Sequence, residues 1–137
     1  MSRYRPPSRK SKYYLPKEDY LTAVHYARRY PRLLAEYNVL ADTAGAIRYD
    51  KDKVLTSNDF DSTFEAASKL MEISGKLHNI ENSLELAAPN RTLMDYLRQS
   101  VCEGVMEYQL KQQGMKCGHG TFSAMRSRFY FELSKKI

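Results

Sequence analysis

The chain has 137 residues, a formal net charge of +6 and an apolar content of 42%, which suffices for one compact core and excludes a wholly disordered or fibrous protein. No run approaches the roughly 18 consecutive apolar residues of a membrane helix, and the basic N-terminus leads into no apolar segment that would suit a secretory signal. We therefore expect a cytoplasmic protein in which Cys102 and Cys117 are thiols.

The charge is divided unevenly along the chain. Residues 1–17 carry a net charge of +6, residues 18–110 a net charge of −5, and residues 111–137 a net charge of +5. Two basic ends around an acidic middle are typical of a protein whose ends face a polyanion and whose middle faces water or a partner protein. We predict that residues 1–15 form a disordered basic tail.

Residues 16–89 carry helical signals and are predicted to form a helical hairpin that serves oligomerisation or partner contact. Pro16 and the two acids after it predict a helix to about Arg29, and Pro31 predicts a second helix or a kinked continuation to about Ala44. Residues 45–60 are expected to form a long loop. The capping-box pattern of residues 62–65 then predicts a helix to about Leu86. Its apolar stripe comprises Phe64, Ala67, Leu70, Met71, Leu77, Ile80 and Leu84.

Shorter elements are predicted for residues 90–137. Asn90 is a suitable cap for a helix, Gly104 marks a tight turn into a short helix, and the glycines of residues 114–120 indicate a second turn. A last helix is expected from about Thr121. The predicted buried positions of these three helices are Leu93, Leu97, Val101, Val105, Tyr108, Leu110, Phe122, Met125, Phe129 and Leu133. Because no segment shows strand-like alternation, the predicted fold is all-α, with an N-terminal helical hairpin and a C-terminal trihelical module of the helix-turn-helix kind.

The last helix has the pattern of a DNA-reading helix. Its apolar positions cluster on one side, Ser123 and Ser127 point away from that side, and Arg126 and Arg128 lie on its two flanks. Small polar side chains beside arginines suit close approach to DNA, because arginine binds guanine or phosphate with two parallel hydrogen bonds. Phe131 also falls on the outward side, where an exposed ring would indicate a protein contact.

The end of the chain resembles a known group of proteins. The segments Glu103-Gly104, Met115-Lys116-Cys117-Gly118, Thr121-Phe122 and residues 125–134, together with Tyr30-Pro31-Arg32 upstream, are similar to small prophage-encoded proteins of Gram-positive bacteria. Those proteins are similar to phage transcriptional regulators of the RinA and ArpU type. The resemblance implies a C-terminal module akin to sigma-factor region 4 and DNA as the ligand. The turn over residues 114–120 is longer than is usual for a helix-turn-helix.

The favoured hypothesis is therefore a phage DNA-binding protein, a transcriptional regulator with double-stranded DNA as its partner. The residues expected at the DNA are Arg3, Arg5, Arg9, Lys10, Lys12, Lys111, Lys116, His119, Thr121, Ser123, Arg126, Ser127, Arg128, Lys135 and Lys136. Lysines would contact phosphates, the tail would follow a groove, and the last helix would read bases. The tail tyrosines Tyr4, Tyr13 and Tyr14 suit either stacking on bases or sealing the edge of the core, whereas Tyr20, Tyr26, Tyr30 and Tyr37 are assigned to the core.

Other interpretations were weighed against this one. Cys102, Cys117 and His119 match no zinc-site spacing, so no metal or other cofactor is expected, and Cys117 is predicted to fill apolar space under the last helix. No catalytic motif occurs, so an enzyme is not expected. The alternative function is a protein-binding module, an inhibitor or adaptor of a machine such as RNA polymerase, a packaging enzyme or a defence nuclease. No membrane partner is expected, and a homodimer stays open.

Overall fold

Six helices make up the regular structure of the residues that can be described. A computed structural model describes the backbone of residues 9–49 and 57–137 and the side chains of residues 9–42 and 65–137. The helices are α1 (Lys17–Arg28), α2 (Tyr30–Tyr49), α3 (Ser57–Ala87), α4 (Arg91–Glu103), α5 (Glu107–Gln112) and α6 (His119–Ser134). The all-α class predicted from the sequence is confirmed over these ranges. None of the helices there is long and apolar enough to cross a membrane.

Helix ends set by local residues follow the sequence closely. Pro16 precedes α1, and Glu18 and Asp19 lie in its first turn, where acids favour the positive end of the helix dipole. At α4, the Oδ1 of Asn90 accepts a hydrogen bond of 2.9 Å from the N–H of Leu93, which satisfies an otherwise unpaired backbone donor. Gly104 ends the same helix with a φ of 76°, a conformation that favours glycine. The predicted cap and turn are confirmed.

The predicted loop and two predicted helix starts need correction. Residues 45–49 belong to α2 and residues 57–60 to α3, so the helices take up both ends of the loop expected at residues 45–60. Helix α3 begins at Ser57 rather than at the capping-box pattern, because residues 57–59 already supply polar residues that favour a helix start. Helix α6 begins at His119, which shortens the turn predicted over residues 114–120. Residues 50–56 lie outside the described residues.

The chain divides into two compact units. Unit 1 joins α1 and residues 79–137, and unit 2 comprises residues 32–78. Within unit 1, α1 packs against α4 and α6, and α4 packs against α6. Helix α1 therefore belongs with the C-terminal helices, whereas the sequence grouped it with residues 16–89. A helix shows its apolar face in its sequence, but not which distant helix covers that face.

The core of unit 1 is built around α6. Phe122, Phe129 and Leu133 of α6 are almost fully buried, as the spacing predicted. Tyr130 joins them, with its ring centroid 5.2 Å from that of Tyr20 in an edge-to-face arrangement. Further buried residues of this unit are Leu15, Ala23, Val24, Ala27, Tyr30, Ile80, Ser83, Leu84, Ala87, Leu97, Ser100, Val101, Cys102, Leu110, Met115 and Met125.

The C-terminal end of α3 is fastened to α1 and the start of α2 by polar contacts. The hydroxyl of Tyr30 donates to the Glu81 carboxylate at 3.1 Å, and the amide of Asn79 donates to the Tyr26 hydroxyl at 3.3 Å. Tyr20 and Tyr30 are buried as predicted, and Tyr26 and Tyr37 are half-buried.

Several positions predicted to be buried are exposed. Met71 is 77% exposed and Tyr108 is 61% exposed, and Ala67 is exposed as well. Leu77, Ile80 and Leu84 of the predicted stripe are buried, and Ile73 joins them. The predicted stripe is therefore confirmed from Leu77 onward, whereas its earlier part includes exposed positions.

Candidate nucleic-acid interface

The first two turns of α6 present small polar residues to solvent. His119, Gly120, Thr121 and Ser123 are exposed, whereas Phe122 between them is buried and anchors the helix. No acidic residue lies in the first turn, and the N-cap residue Gly118 makes no side-chain capping bond among the described residues. The backbone N–H groups of this turn therefore remain free for an anionic ligand, at the positive end of the helix dipole.

Glu107 of α5 lies beside this helix end. Its carboxylate is 2.9 Å from the Nδ1 of His119 and 3.9 Å from the Nζ of Lys111. The contact ties α5 to the start of α6 and places a negative charge between two residues predicted to bind DNA. Sequence reasoning missed Glu107; its spacing of four residues from Lys111 was the available signal. Lys116, in the turn before α6, is exposed.

The middle of α6 is more enclosed than a DNA-reading helix predicts. Arg126, Ser127 and Arg128 are half-buried, because α1 and α4 both pack against α6. The Nε of Arg126 is buried and has no hydrogen-bond partner within the described part of the chain. Burial raises the pKa of Tyr130 to about 12, while the Arg126 guanidinium opposes that shift through its charge and a hydrogen bond. The Arg126 guanidinium therefore lies beside Tyr130, with the Arg126 side chain as a whole half-buried.

The basic tail meets the C-terminal end of α6. The rings of Tyr13 and Phe131 lie 5.7 Å apart between centroids, inclined at 59°, and Leu15 is only 7% exposed. Lys12 Nζ lies 5.1 Å from the centroid of the Tyr13 ring, and Lys135 Nζ lies 4.3 Å from that of Phe131. Phe131, which the spacing placed on the outward side of α6, is half-buried. Residues 9–15, predicted as part of a disordered tail, thus reach the surface of α6.

The other residues predicted to contact DNA lie in the tail and just after the C-terminal end of α6. Arg9, Lys10, Lys12 and Lys135 are exposed and lie in the tail and just after α6, and Lys136 is half-buried. Lys135 pairs with Glu132 at 3.7 Å, and Lys136 donates to the Glu132 carbonyl at 3.2 Å. Of the residues predicted to contact DNA, His119, Thr121 and Ser123 thus lie at the start of α6, and Lys135 and Lys136 follow its end. The arginines of its middle lie between these two groups and are half-buried. Arg3 and Arg5 lie outside the described residues.

The two cysteines differ in burial. Cys102 is 2% exposed, and burial raises the pKa of its thiol to about 12. Cys117, predicted to fill apolar space, is half-buried, and its Sγ is 3.6 Å from the Gly118 carbonyl. No group of three or more His, Cys, Asp or Glu side chains that could hold a metal ion occurs in the described ranges.

Comparison with known protein families, with curated proteins and with solved structures finds no match to this chain.

Proposed function

We propose that the protein binds double-stranded DNA as a phage transcriptional regulator, with α4, α5 and α6 as a helix-turn-helix-like module. The observation that carries this proposal is the exposed start of α6, whose own first turn holds no acidic residue, near Lys111 and Lys116. In helix-turn-helix proteins the N-terminal residues of the reading helix contact base edges. His119, Thr121 and Ser123 would take that role, and the two lysines would contact phosphates.

The half-buried middle of α6 limits how much of the helix reads bases. Arg126 is half-buried beside Tyr130, which leaves less of its side chain for DNA than His119, Thr121 and Ser123 offer. Ser127 and Arg128 are half-buried, which favours contacts from the edge of the interface rather than its centre. The proposal therefore assigns base reading to the first two turns of α6 and leaves Arg128 a phosphate contact.

A fluorescence-anisotropy titration tests this assignment. Lys111→Ala with Lys116→Ala should weaken binding to every duplex and lower the log–log salt slope by about 1.8, since each lost phosphate contact lowers it by about 0.9. Thr121→Ala with Ser123→Ala should instead reduce discrimination between duplexes. The matched control is Lys69→Ala with Lys76→Ala on α3, which removes two exposed or half-buried lysines from unit 2. Equal effects of the two lysine pairs would contradict the proposal.

A second candidate, the protein-binding module, is favoured by exposed apolar residues in unit 2. Met71 is 77% exposed and Val39 is 65% exposed, and the surrounding middle of the chain is acidic. Tyr37, Leu70, Met71, Ser74, Gly75 and His78 line an open groove of about 500 Å³. Exposed apolar side chains of this size are typical of protein contacts.

The DNA-binding and protein-binding candidates predict different effects of one substitution in unit 2. Met71→Lys should abolish a stoichiometric complex with a protein partner, for which purified RNA polymerase is the first to be titrated, and should leave DNA affinity unchanged. A complex that survives Met71→Lys and Val39→Lys together would rule out this surface as the contact.

A further inference from the structure

The contact between the tail and α6 joins positive charges that are far apart in the sequence. Arg9, Lys10 and Lys12 lie about 120 residues before Lys135 and Lys136, yet the Tyr13–Phe131 ring contact brings their segments together. The only carboxylate of these two segments is that of Glu132, which pairs with Lys135. This contact therefore brings together two segments that carry five basic residues and one acid.

The tail forms a local turn before its contact with α6. The N–H of Tyr14 donates to the Ser11 carbonyl at 3.1 Å, and the N–H of Tyr13 donates to the Ser11 hydroxyl at 3.2 Å. This turn directs the Tyr13 ring toward Phe131, and Leu15 is buried directly after it. Lys12 and Lys135 lie against the two rings through their ammonium groups, which leaves hydrogen-bond donors for another ligand.

We propose that residues 9–13 and the C-terminal end of α6 form a second phosphate-binding surface, which contacts the DNA backbone and is assembled by the Tyr13–Phe131 contact. This inference rests on the proposed function and adds a positioning role for two uncharged residues. Helix α6 has 16 residues, so its two ends lie about 24 Å apart. That separation equals about seven base-pair steps of roughly 3.4 Å along the axis of a duplex. One duplex can therefore contact both ends of α6.

The chain offers a matched pair of variants for the test. Tyr13→Ala removes the ring that contacts Phe131 and changes no charge. Tyr14→Ala removes the neighbouring ring, which is 37% exposed and makes no ring contact within the described part of the chain. Tyr13→Phe keeps the ring and removes only the hydroxyl group. Circular dichroism of each variant verifies that the helices are retained.

The measurement is the salt dependence of binding of the full chain to a 20-base-pair duplex, whose length is chosen as roughly twice the helical repeat. Replacing Arg9, Lys10 and Lys12 by alanine should lower the log–log slope by up to about 2.7. Tyr13→Ala should lower it by at least about 1 although it removes no charge, and Tyr14→Ala and Tyr13→Phe should match the unmodified chain. A Tyr13→Ala slope equal to that of Tyr14→Ala would overturn the proposal.

Hydrogen exchange on the unmodified chain gives a second test that needs no variant. Saturating duplex should slow exchange of residues 11–15 together with residues 131–136. Protection confined to the start of α6 would overturn the second surface while leaving DNA binding intact, and failure of the chain to bind any duplex would remove the proposed function itself. Tighter binding to phosphatidylserine vesicles than to the duplex would assign these charges to a membrane surface and contradict the proposal.

Discussion

Gly104 combines a local and a long-range requirement in one residue. Its φ of 76° lies in the left-handed region, and a Cβ atom built there would collide with the guanidinium of Arg28 from α1. The positive φ was predictable, because a glycine after an apolar helical stretch commonly ends the helix. The approach of Arg28 was not, since it depends on α1 packing against α4, which no local pattern reveals.

Gly104→Ala should therefore destabilise the protein. We expect a loss of about 1–2 kcal/mol from the left-handed backbone, and little more for Arg28, because the atoms that a Cβ would meet are at the end of its flexible, exposed side chain. Gly120→Ala is the control, because a Cβ there meets no atom within 4 Å and alanine favours the helix by up to about 1 kcal/mol. Urea unfolding followed by circular dichroism measures both variants. Equal stabilities for Gly104→Ala and the unmodified chain would show that the turn tolerates a side chain.

The raised pKa of Cys102 predicts a loss of stability in alkali. Burial raises the pKa of its thiol from 9.0 to about 12, so the unfolded chain loses a proton near pH 9 that the folded chain keeps. The stabilisation is complete below pH 9 and is lost as the pH rises toward 12, with a slope of up to about 1.4 kcal/mol per pH unit. Tyr130, raised from 10.0 to about 12 by burial, contributes in the same direction above pH 10.

Urea unfolding at pH 8.5 and pH 10 measures the loss of stability that Cys102 causes, because these two values bracket the ordinary pKa of a thiol. Cys102→Ala should show a smaller loss of stability between these values than the unmodified chain. Cys117→Ser, which removes the half-buried cysteine, is the matched control. An unchanged pH dependence in Cys102→Ala would mean that another group causes the alkaline loss.

The sequence predicted the buried positions of α6 well, but it did not predict how enclosed the middle of that helix is. Its buried positions Phe122, Met125, Phe129 and Leu133 follow directly from their spacing. Its enclosed middle does not, because it results from two other helices packing against it. Arg126 and Arg128 were assigned to DNA on charge and position alone, and neither property indicates whether a neighbouring helix covers the side chain.

The contact between Glu107 of α5 and His119 of α6 predicts a substitution that strengthens DNA binding. Glu107→Gln should strengthen DNA binding, because it removes the one carboxylate that contacts both Lys111 and His119. We expect a three- to tenfold lower Kd at low salt, which corresponds to about 0.6–1.4 kcal/mol. Glu103→Gln is the matched control, since Glu103 pairs with Arg98 of the same helix at 3.5 Å. Weaker binding by Glu107→Gln would show that the contact organises the interface instead of opposing it.

The sequence showed the uneven distribution of charge along the chain, but it did not show which helices pack together. The uneven charge was visible in the sequence, and the meeting of the tail with α6 gives it a physical basis. The two units were not predictable, because α1 lies next to residues 32–78 in the chain yet packs with α4 and α6. The partner of Phe131 was likewise hidden, since Tyr13 is 118 positions away in the sequence.

The central claim is that the chain binds DNA and reads its sequence. The most direct test is a fluorescence-anisotropy titration of a random duplex and of a duplex from the gene's own neighbourhood, each at about 50 and 200 mM salt. We expect the chain to bind both duplexes at low salt. At the higher salt, we expect it to bind the neighbourhood duplex at least about tenfold more tightly than the random duplex. Weak binding that is equal for both duplexes and abolished at the higher salt would contradict the central claim.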